Sequence, residues 1–300
     1  MVSPGKPSPG KSVPALSDEQ VARLGRSHRM LDPTRYLFGE FHQPNEVEIN
    51  EQDPKVTKRL LDAASFVVRT RAKVKAWGME KIPGEGIYIC AATHVTQFDV
   101  LIPMMTMFHL GRRPRFMAKE ELSKWPFIGW ALRHVGMQSV PRRRGQARAI
   151  EEESIKILLG GRPLTIWPEG TLSRDPQKWP MSLKRGMAEI ALIASKKVGY
   201  QIPLFPAVTW GAASINHFWP WPRKNVVLAF DDAVDYSDLL VDADEWEDGQ
   251  PPVEAIAELT ERVRARMEAR MAEIRGEKPP VEGMWDYRSM KRVPRPQLHG

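Results

Sequence analysis

A histidine and an aspartate share one short segment, Thr93-His94-Val95-Thr96-Gln97-Phe98-Asp99. An imidazole can take a proton near neutral pH, and a carboxylate beside it can fix its orientation and stabilise the imidazolium. On one continuous helix this H-x4-D spacing would leave the two side chains about 140° apart around the axis. They can meet only if His94 lies in a loop and Asp99 in the first helical turn. Thr96 is a suitable N-cap for that turn. A structural reading stands beside the chemical one: Thr96-x-x-Asp99 also fits a capping box, in which Asp99 satisfies backbone N–H groups. With seven histidines in the chain, the spacing alone does not choose between them.

Three further segments carry polar groups at strand ends. Gly136-Met137-Gln138-Ser139-Val140-Pro141-Arg142, continued by Arg143-Arg144-Gly145, puts arginine where its fork can recognise phosphate, or simply where a basic turn meets solvent. Trp167-Pro168-Glu169-Gly170-Thr171-Leu172-Ser173-Arg174 combines a carboxylate, a flexible glycine, hydroxyls and an arginine. That mixture can grip a polar headgroup, although a plain loop can also contain it. Ile202-Pro203-Leu204-Phe205-Pro206-Ala207 reads as an apolar strand whose prolines would ordinarily mark a sheet edge.

The elements that must position these groups alternate between strand and helix. Val56, Leu60, Ala64 and Val67 recur at helical spacing, with Lys55, Lys58, Arg59 and Arg69 on other faces. Strands are expected at 87–92, 115–118, 137–140, 164–167, 204–209 and 226–230. Helices are expected at 97–110, 126–135, 147–159 and 187–195. Ile256, Leu259, Val263, Met267, Met271 and Ile274 form the stripe of a closing amphipathic helix that stops at Gly276. This alternation implies an α/β domain. The expected organisation is a flexible N-terminal arm over 1–53, draped or loose, a domain over 54–276, and a C-terminal tail over 277–300.

Composition narrows the function classes. Of the 300 residues, 42% are hydrophobic and 27% charged, as in an ordinary folded domain. The net charge of +7 favours anionic partners. A single cysteine, Cys90, cannot form an internal disulfide and suits a reducing compartment. No apolar run reaches the roughly 18 residues of a membrane span, and the first residues lack a signal's apolar centre. Membrane contact is therefore expected to be peripheral, on the cytoplasmic side. Gly5–Ser12 fits the P-loop pattern, but no strand precedes it and its prolines remove N–H donors. The G-x-S-x-G elbow of serine hydrolases is absent. Arg112, Arg113, Arg115 and Arg142–Arg144 come without a nucleic-acid-binding motif, so no nucleic acid partner is expected. No metal-ligand cluster and no obligate protein partner are evident.

Taken in order, the four segments resemble the glycerolipid acyltransferase family, which includes the 1-acyl-glycerol-3-phosphate (lysophosphatidate) acyltransferases. The resemblance runs from about Val74 to Asp238 and includes Ala76–Pro83, Lys119–Leu122 and Pro126–Trp130. It implies a mixed, partly parallel sheet flanked by helices. It implies that His94 is the general base, Asp99 its orienting partner, and Arg142 a phosphate-binding arginine. Glu169, Gly170 and Thr171 correspond to a block associated with acceptor binding and site architecture. The chain departs from the family at Leu172, where arginine is frequent. Arg174, Lys184 or Arg185 can supply the charge instead. The implied reaction is direct attack of a lysophosphatidate hydroxyl on an acyl thioester, acyl-CoA or acyl carrier protein, without a resident cofactor. Backbone N–H groups near Gln97 are the expected oxyanion donors.

Both the acyl donor and the product are lipidic, so the site should open toward an anionic membrane surface. Trp219, Trp221, Arg223 and Lys224 combine aromatics with cations and suit the headgroup layer. The 56–68 helix can lie in the interface, and Trp125, Phe127 and Trp130 can line an acyl groove. Core packing is the alternative for each.

Overall fold

Alternate residues of one short central strand serve two separate cores. The computed structural model describes residues 16–23, 29–30, 54–110, 112, 114–119, 124–135, 137–140, 147–215 and 222–298. In chain order the elements are α1 (Asp18–Arg23), β1 (Arg29–Met30), α2 (Pro54–Arg71), β2 (Ala72–Trp77), β3 (Ile89–Ala92), α3 (Leu101–His109), β4 (Arg115–Lys119), α4 (Pro126–His134) and β5 (Met137–Val140). They continue with α5 (Ala147–Leu159), β6 (Leu164–Ile166), α6 (Gly186–Val198), β7 (Leu204–Trp210), β8 (Lys224–Phe230), α7 (Val253–Arg275), β9 (Met284–Asp286) and β10 (Lys291–Val293). The main sheet has the order β1-β2-β8-β7-β3-β6-β4-β5. Its pairs are parallel except β1 with β2 and β7 with β8. This is a mixed, mostly parallel α/β sheet flanked by helices.

Ile89 and Ala91 face one core, with residues of α5, α6 and α7; Tyr88, Cys90 and Ala92 face the other, with α2 and α3. A strand covered on both sides reads as a continuous apolar run, as 87–92 does. The stripe expected for α7 is buried at every position from Ile256 to Ile274, and Gly276 ends the helix in the left-handed conformation (φ 65°).

Several expectations are corrected. β7 is internal, between β8 and β3, despite Pro206. The ladder with β8 begins only at Ala207, so the missing N–H of Pro206 is not demanded there, while its carbonyl accepts from Asp231 N–H at 2.9 Å. The helix expected over 97–110 divides into a 3-10 turn, Gln97–Val100, followed by α3. On α2 the buried face is Thr57, Leu61, Ser65 and Val68, one position round from the apolar stripe read in the sequence. Phe66 and Val67 are left exposed, Phe66 by 70%.

Parts of the two terminal segments are docked. Leu16 and Val21 are buried, the Asn225 side-chain amide donates to Leu16 O at 2.9 Å, and β1 pairs with β2. Within the C-terminal tail, over 277–298, β9 and β10 form an antiparallel hairpin. Asp286 accepts from the Ser289 amide and hydroxyl at its turn, and Arg295 forks onto Glu268 of α7 with two contacts of 2.8 Å.

Candidate active site

β3 and β6 are adjacent and parallel, so the loops after them leave from the same carboxyl edge of the sheet. In open α/β sheets that edge is where ligands bind. His94 follows β3 and Glu169-Gly170-Thr171 follows β6. The two loops are knitted together by backbone: Ser173 N–H donates to His94 O at 2.6 Å. Thr93 is buried beneath them, and its hydroxyl accepts from Thr209 N–H at 3.0 Å, fixing the loop to β7.

His94 is half-buried, with its ring 5.8 Å from that of Trp167, which in turn stacks on Phe116 at 6.0 Å. Trp167 thus forms a wall of the site that periodicity could not identify, because a ring contact between two strand ends has no local sequence signal. Thr96 caps the 3-10 turn and its oxygen accepts from Phe98 N–H at 3.2 Å. Asp99 completes the capping box, with Oδ2 accepting from the amides of Val95 and Thr96. The capping reading of Asp99 is thus the one these contacts display, and no hydrogen bond joins either Asp99 oxygen to His94. Oδ2 serves the backbone, whereas Oδ1 is buried without a hydrogen-bond partner. Burial pushes the Asp99 carboxyl up to about 7, against the pull of those amides. The amides of Val95, Thr96 and Phe98 are engaged, which narrows the oxyanion donors expected near Gln97.

Glu169 requires a correction. It is wholly buried, so it presents nothing to an acceptor in this conformation. Its Oε1 accepts from Met181 N–H at 3.1 Å, and the His94 amide also favours its charged form. Desolvation dominates and raises it to about 8, with the Asp99 charge contributing. Glu169 is the post on which the loops around His94 and Met181 hang. Only its location twelve residues before Met181 in the folded loop reveals this. Gly170 has φ +64°, and a Cβ there would collide with the end of Lys184. The Lys184 ammonium thus lies over the glycine, and it sits 5.8 Å from the Tyr287 ring. Thr171 is half-buried, Leu172 is exposed, and the exposed Arg174 reaches Met290 of the hairpin with Nη1 3.8 Å from sulfur.

Arg142 lies outside the described residues, as do Arg143, Arg144, Trp219 and Trp221. Arg223 is exposed, whereas Lys224 opens β8 and is half-buried there. Trp125, Phe127 and Trp130 are exposed on and beside α4, which excludes the core-packing alternative for them. Arg112 and Arg115 are buried; the Arg112 guanidinium donates to the carbonyls of Gly84 and Gly86 and lies 5.2 Å from the Tyr88 ring. Those two cations belong to the core rather than to a basic surface.

Residues 73–210 match the family model described as Acyltransferase. The chain thus carries a segment, just under half of its length, that is similar to this acyltransferase family. The 1-acyl-sn-glycerol-3-phosphate acyltransferase of Borreliella burgdorferi is 30% identical over 121 residues, covering 40% of this chain and 46% of the relative. The lyso-ornithine lipid O-acyltransferase of Rhodobacter capsulatus is 26% identical over 128 residues, covering 40% and 45%. The chain thus spans less than half the length of these curated relatives. The crystal structure of the 1-acyl-sn-glycerophosphate acyltransferase from Thermotoga maritima superposes with a TM-score of 0.51 at 22% identity. It covers 75% of this chain and 81% of that one, and shows the shared fold. The matched acyltransferase segment contains both loops of the site but ends before α7 and the C-terminal hairpin. No helix among the described residues is long and apolar enough to cross a membrane.

Proposed function

We propose that this acyltransferase moves a fatty acyl group from acyl-CoA to the free hydroxyl of lysophosphatidate, giving phosphatidate. The observation that carries the reading is the convergence of His94 and the Glu169–Thr171 loop at the carboxyl ends of β3 and β6, above the buried Asp99. His94 removes the proton as the acceptor oxygen attacks the thioester carbonyl, forming a C–O bond and a tetrahedral oxyanion. Collapse breaks the C–S bond and expels the thiolate, which takes the proton back from the imidazolium. The unpaired Oδ1 of Asp99 is the acceptor that would hold the ring and favour its charged form. The protein forms no covalent intermediate in this scheme. Acyl-CoA or acyl carrier protein is a substrate, and the chemistry needs no resident cofactor.

Lys184 beside Gly170, together with Arg142 and Arg174, is the proposed contact for the acceptor's phosphate. Exposed Leu172, where the family often has arginine, is a reason to test glycerol-3-phosphate and other lysolipids as acceptors; a relative named for a lyso-ornithine lipid acceptor adds to it. A non-catalytic lipid-binding role is less well supported, since His94 and Asp99 are both present in one short segment. We place the protein at the cytoplasmic membrane face. Support comes from Phe66, Trp125 and Phe127, each more than half exposed, with exposed Arg69, Lys124 and Arg133 on the same helices or adjoining them. Acceptors should be compared by the rate of product formation from labelled acyl-CoA. Lysophosphatidate should exceed glycerol-3-phosphate and neutral lysolipids in kcat/KM; a neutral lysolipid preferred over it would overturn the assignment of the acceptor.

A further inference from the structure

Three arginines tie the loop between β6 and α6 to the C-terminal elements, two reaching in and one reaching out. Arg292 of β10 places Nη2 at 2.9 and 3.0 Å from the two oxygens of Asp175 and at 3.0 Å from Gln177 Oε1. The Asp175 side chain is fully buried, and it also accepts from the amides of Gln177 and Trp179. Arg275, the last residue of α7, donates to Gln177 O at 2.8 Å. Its guanidinium is sandwiched between Trp179 and Trp210, 4.3 Å from each ring centroid. Arg174 reaches the other way, from the loop to Met290. The backbone joins as well: Ser182 N–H donates to Trp285 O at 2.9 Å, and Met181 bridges to Trp285.

These contacts lead to the reacting group in short steps. The hairpin holds Met181 and Ser182; Met181 N–H holds the Glu169 carboxylate, and Glu169 lies against the backbone of His94. A buried carboxylate that accepts two amides and a guanidinium has little freedom, because any displacement leaves a buried charge unpaired. Lysine cannot restore the geometry, because the guanidinium uses Nη2 for Asp175 and Gln177 while Nη1 donates to the Gly283 carbonyl at 3.1 Å, and one ammonium cannot span both. None of Arg275, Met290 and Arg292 falls within the segment shared with the family.

We propose that the C-terminal hairpin is a positioning element for the acceptor loop, with Arg292 as its positioning residue acting through Asp175. The assignment of this loop to the acceptor rests on the function proposed above. Full-length wild type, Arg292→Lys and Arg292→Ala are compared for KM of lysophosphatidate, KM of acyl-CoA, kcat and amide hydrogen exchange over 169–185. Misplacement of this kind raises the acceptor KM by roughly tenfold in Arg292→Lys, while donor KM and kcat stay within about twofold. Exchange quickens over 169–185 and stays at the wild-type rate in α6. A parallel loss in both substrates, or unchanged exchange over the loop, overturns the proposal. Should Arg292→Ala not fold, Arg292→Lys decides. If wild type shows no turnover that depends on lysophosphatidate, the proposed function fails on its own. Loop exchange then judges the clamp: faster in Arg292→Lys upholds it, and unchanged rejects it.

Discussion

Burial raises two carboxyl groups of the candidate site toward neutral pH, and under the proposed function this links activity to stability in opposite directions. Asp99 and Glu169 are raised from ordinary values of 3.8 and 4.5 to about 7 and about 8, and Glu151, against Glu189, to about 7. A carboxyl raised in the fold binds more protons folded than unfolded through the interval between its two pKa values. Its stabilising contribution is complete below the unfolded value and is lost as pH rises through the folded one. The melting temperature should therefore fall between about pH 4.5 and pH 8. Glu169→Gln should flatten that slope, since glutamine can still accept from Met181 without the buried charge. A slope unaltered in Glu169→Gln would count against the assignment. Activity should run the other way, rising as pH passes about 7, because Asp99 must be ionised to support an imidazolium. Asp99→Asn should remove that limb, keep the capped turn and lower kcat by about 10²–10⁴-fold. The capping box at Thr96 was readable from spacing. The complete burial of Asp99 and Glu169 was not, because it depends on what covers them from another part of the chain.

At the scale of elements, legibility followed periodicity. Strand 137–140 and helix 147–159 coincide with their expected ranges, and all six stripe residues of α7 are buried. Met267 is completely buried, so Met267→Ala should cost about 2–5 kcal/mol, read as a shift of the denaturation midpoint. A cost below 1 kcal/mol would show that this helix does not close the core. The buried face of α2 escaped the reading because Thr57 and Ser65 are polar; the Thr57 hydroxyl is satisfied by donating to His134 O at 2.6 Å. The hairpin escaped it because strands of three residues have no usable period, and Asp175 and Arg292 meet across 117 positions. Gly170, read from the sequence as a flexible glycine, takes a left-handed conformation beneath Lys184. Its left-handed conformation and the overlying Lys184 mean that Gly170→Ala strains the backbone by roughly 1–2 kcal/mol and displaces the ammonium. Acceptor KM should rise more than donor KM in that variant.

At the scale of the molecule, the proposed function sets one requirement for the site and the exposed aromatics: access to lipid substrates. Exposed Arg69, Lys124 and Arg133 lie on or next to the helices that carry or adjoin Phe66, Trp125 and Phe127. Transfer of one large apolar side chain out of water is worth about 1.5–3 kcal/mol, so Phe127→Asp should weaken binding to anionic vesicles by roughly tenfold or more. Co-sedimentation with vesicles of anionic and of neutral lipid measures it; unchanged binding would move the membrane face elsewhere on the molecule. The order of the four sequence blocks pointed to the fold more strongly than any single block, since strand-end loops spaced along an α/β chain return to one sheet edge. The acceptor remains the part least determined by that pattern, because Leu172 replaces a charge and the compensating cations come from distant positions. The central claim is best tested by thiol release from acyl-CoA in the presence of vesicles, with and without lysophosphatidate, for wild type and His94→Ala. The account predicts release that depends on lysophosphatidate and falls by about 10²-fold or more in His94→Ala. Equal release by the two proteins would contradict it.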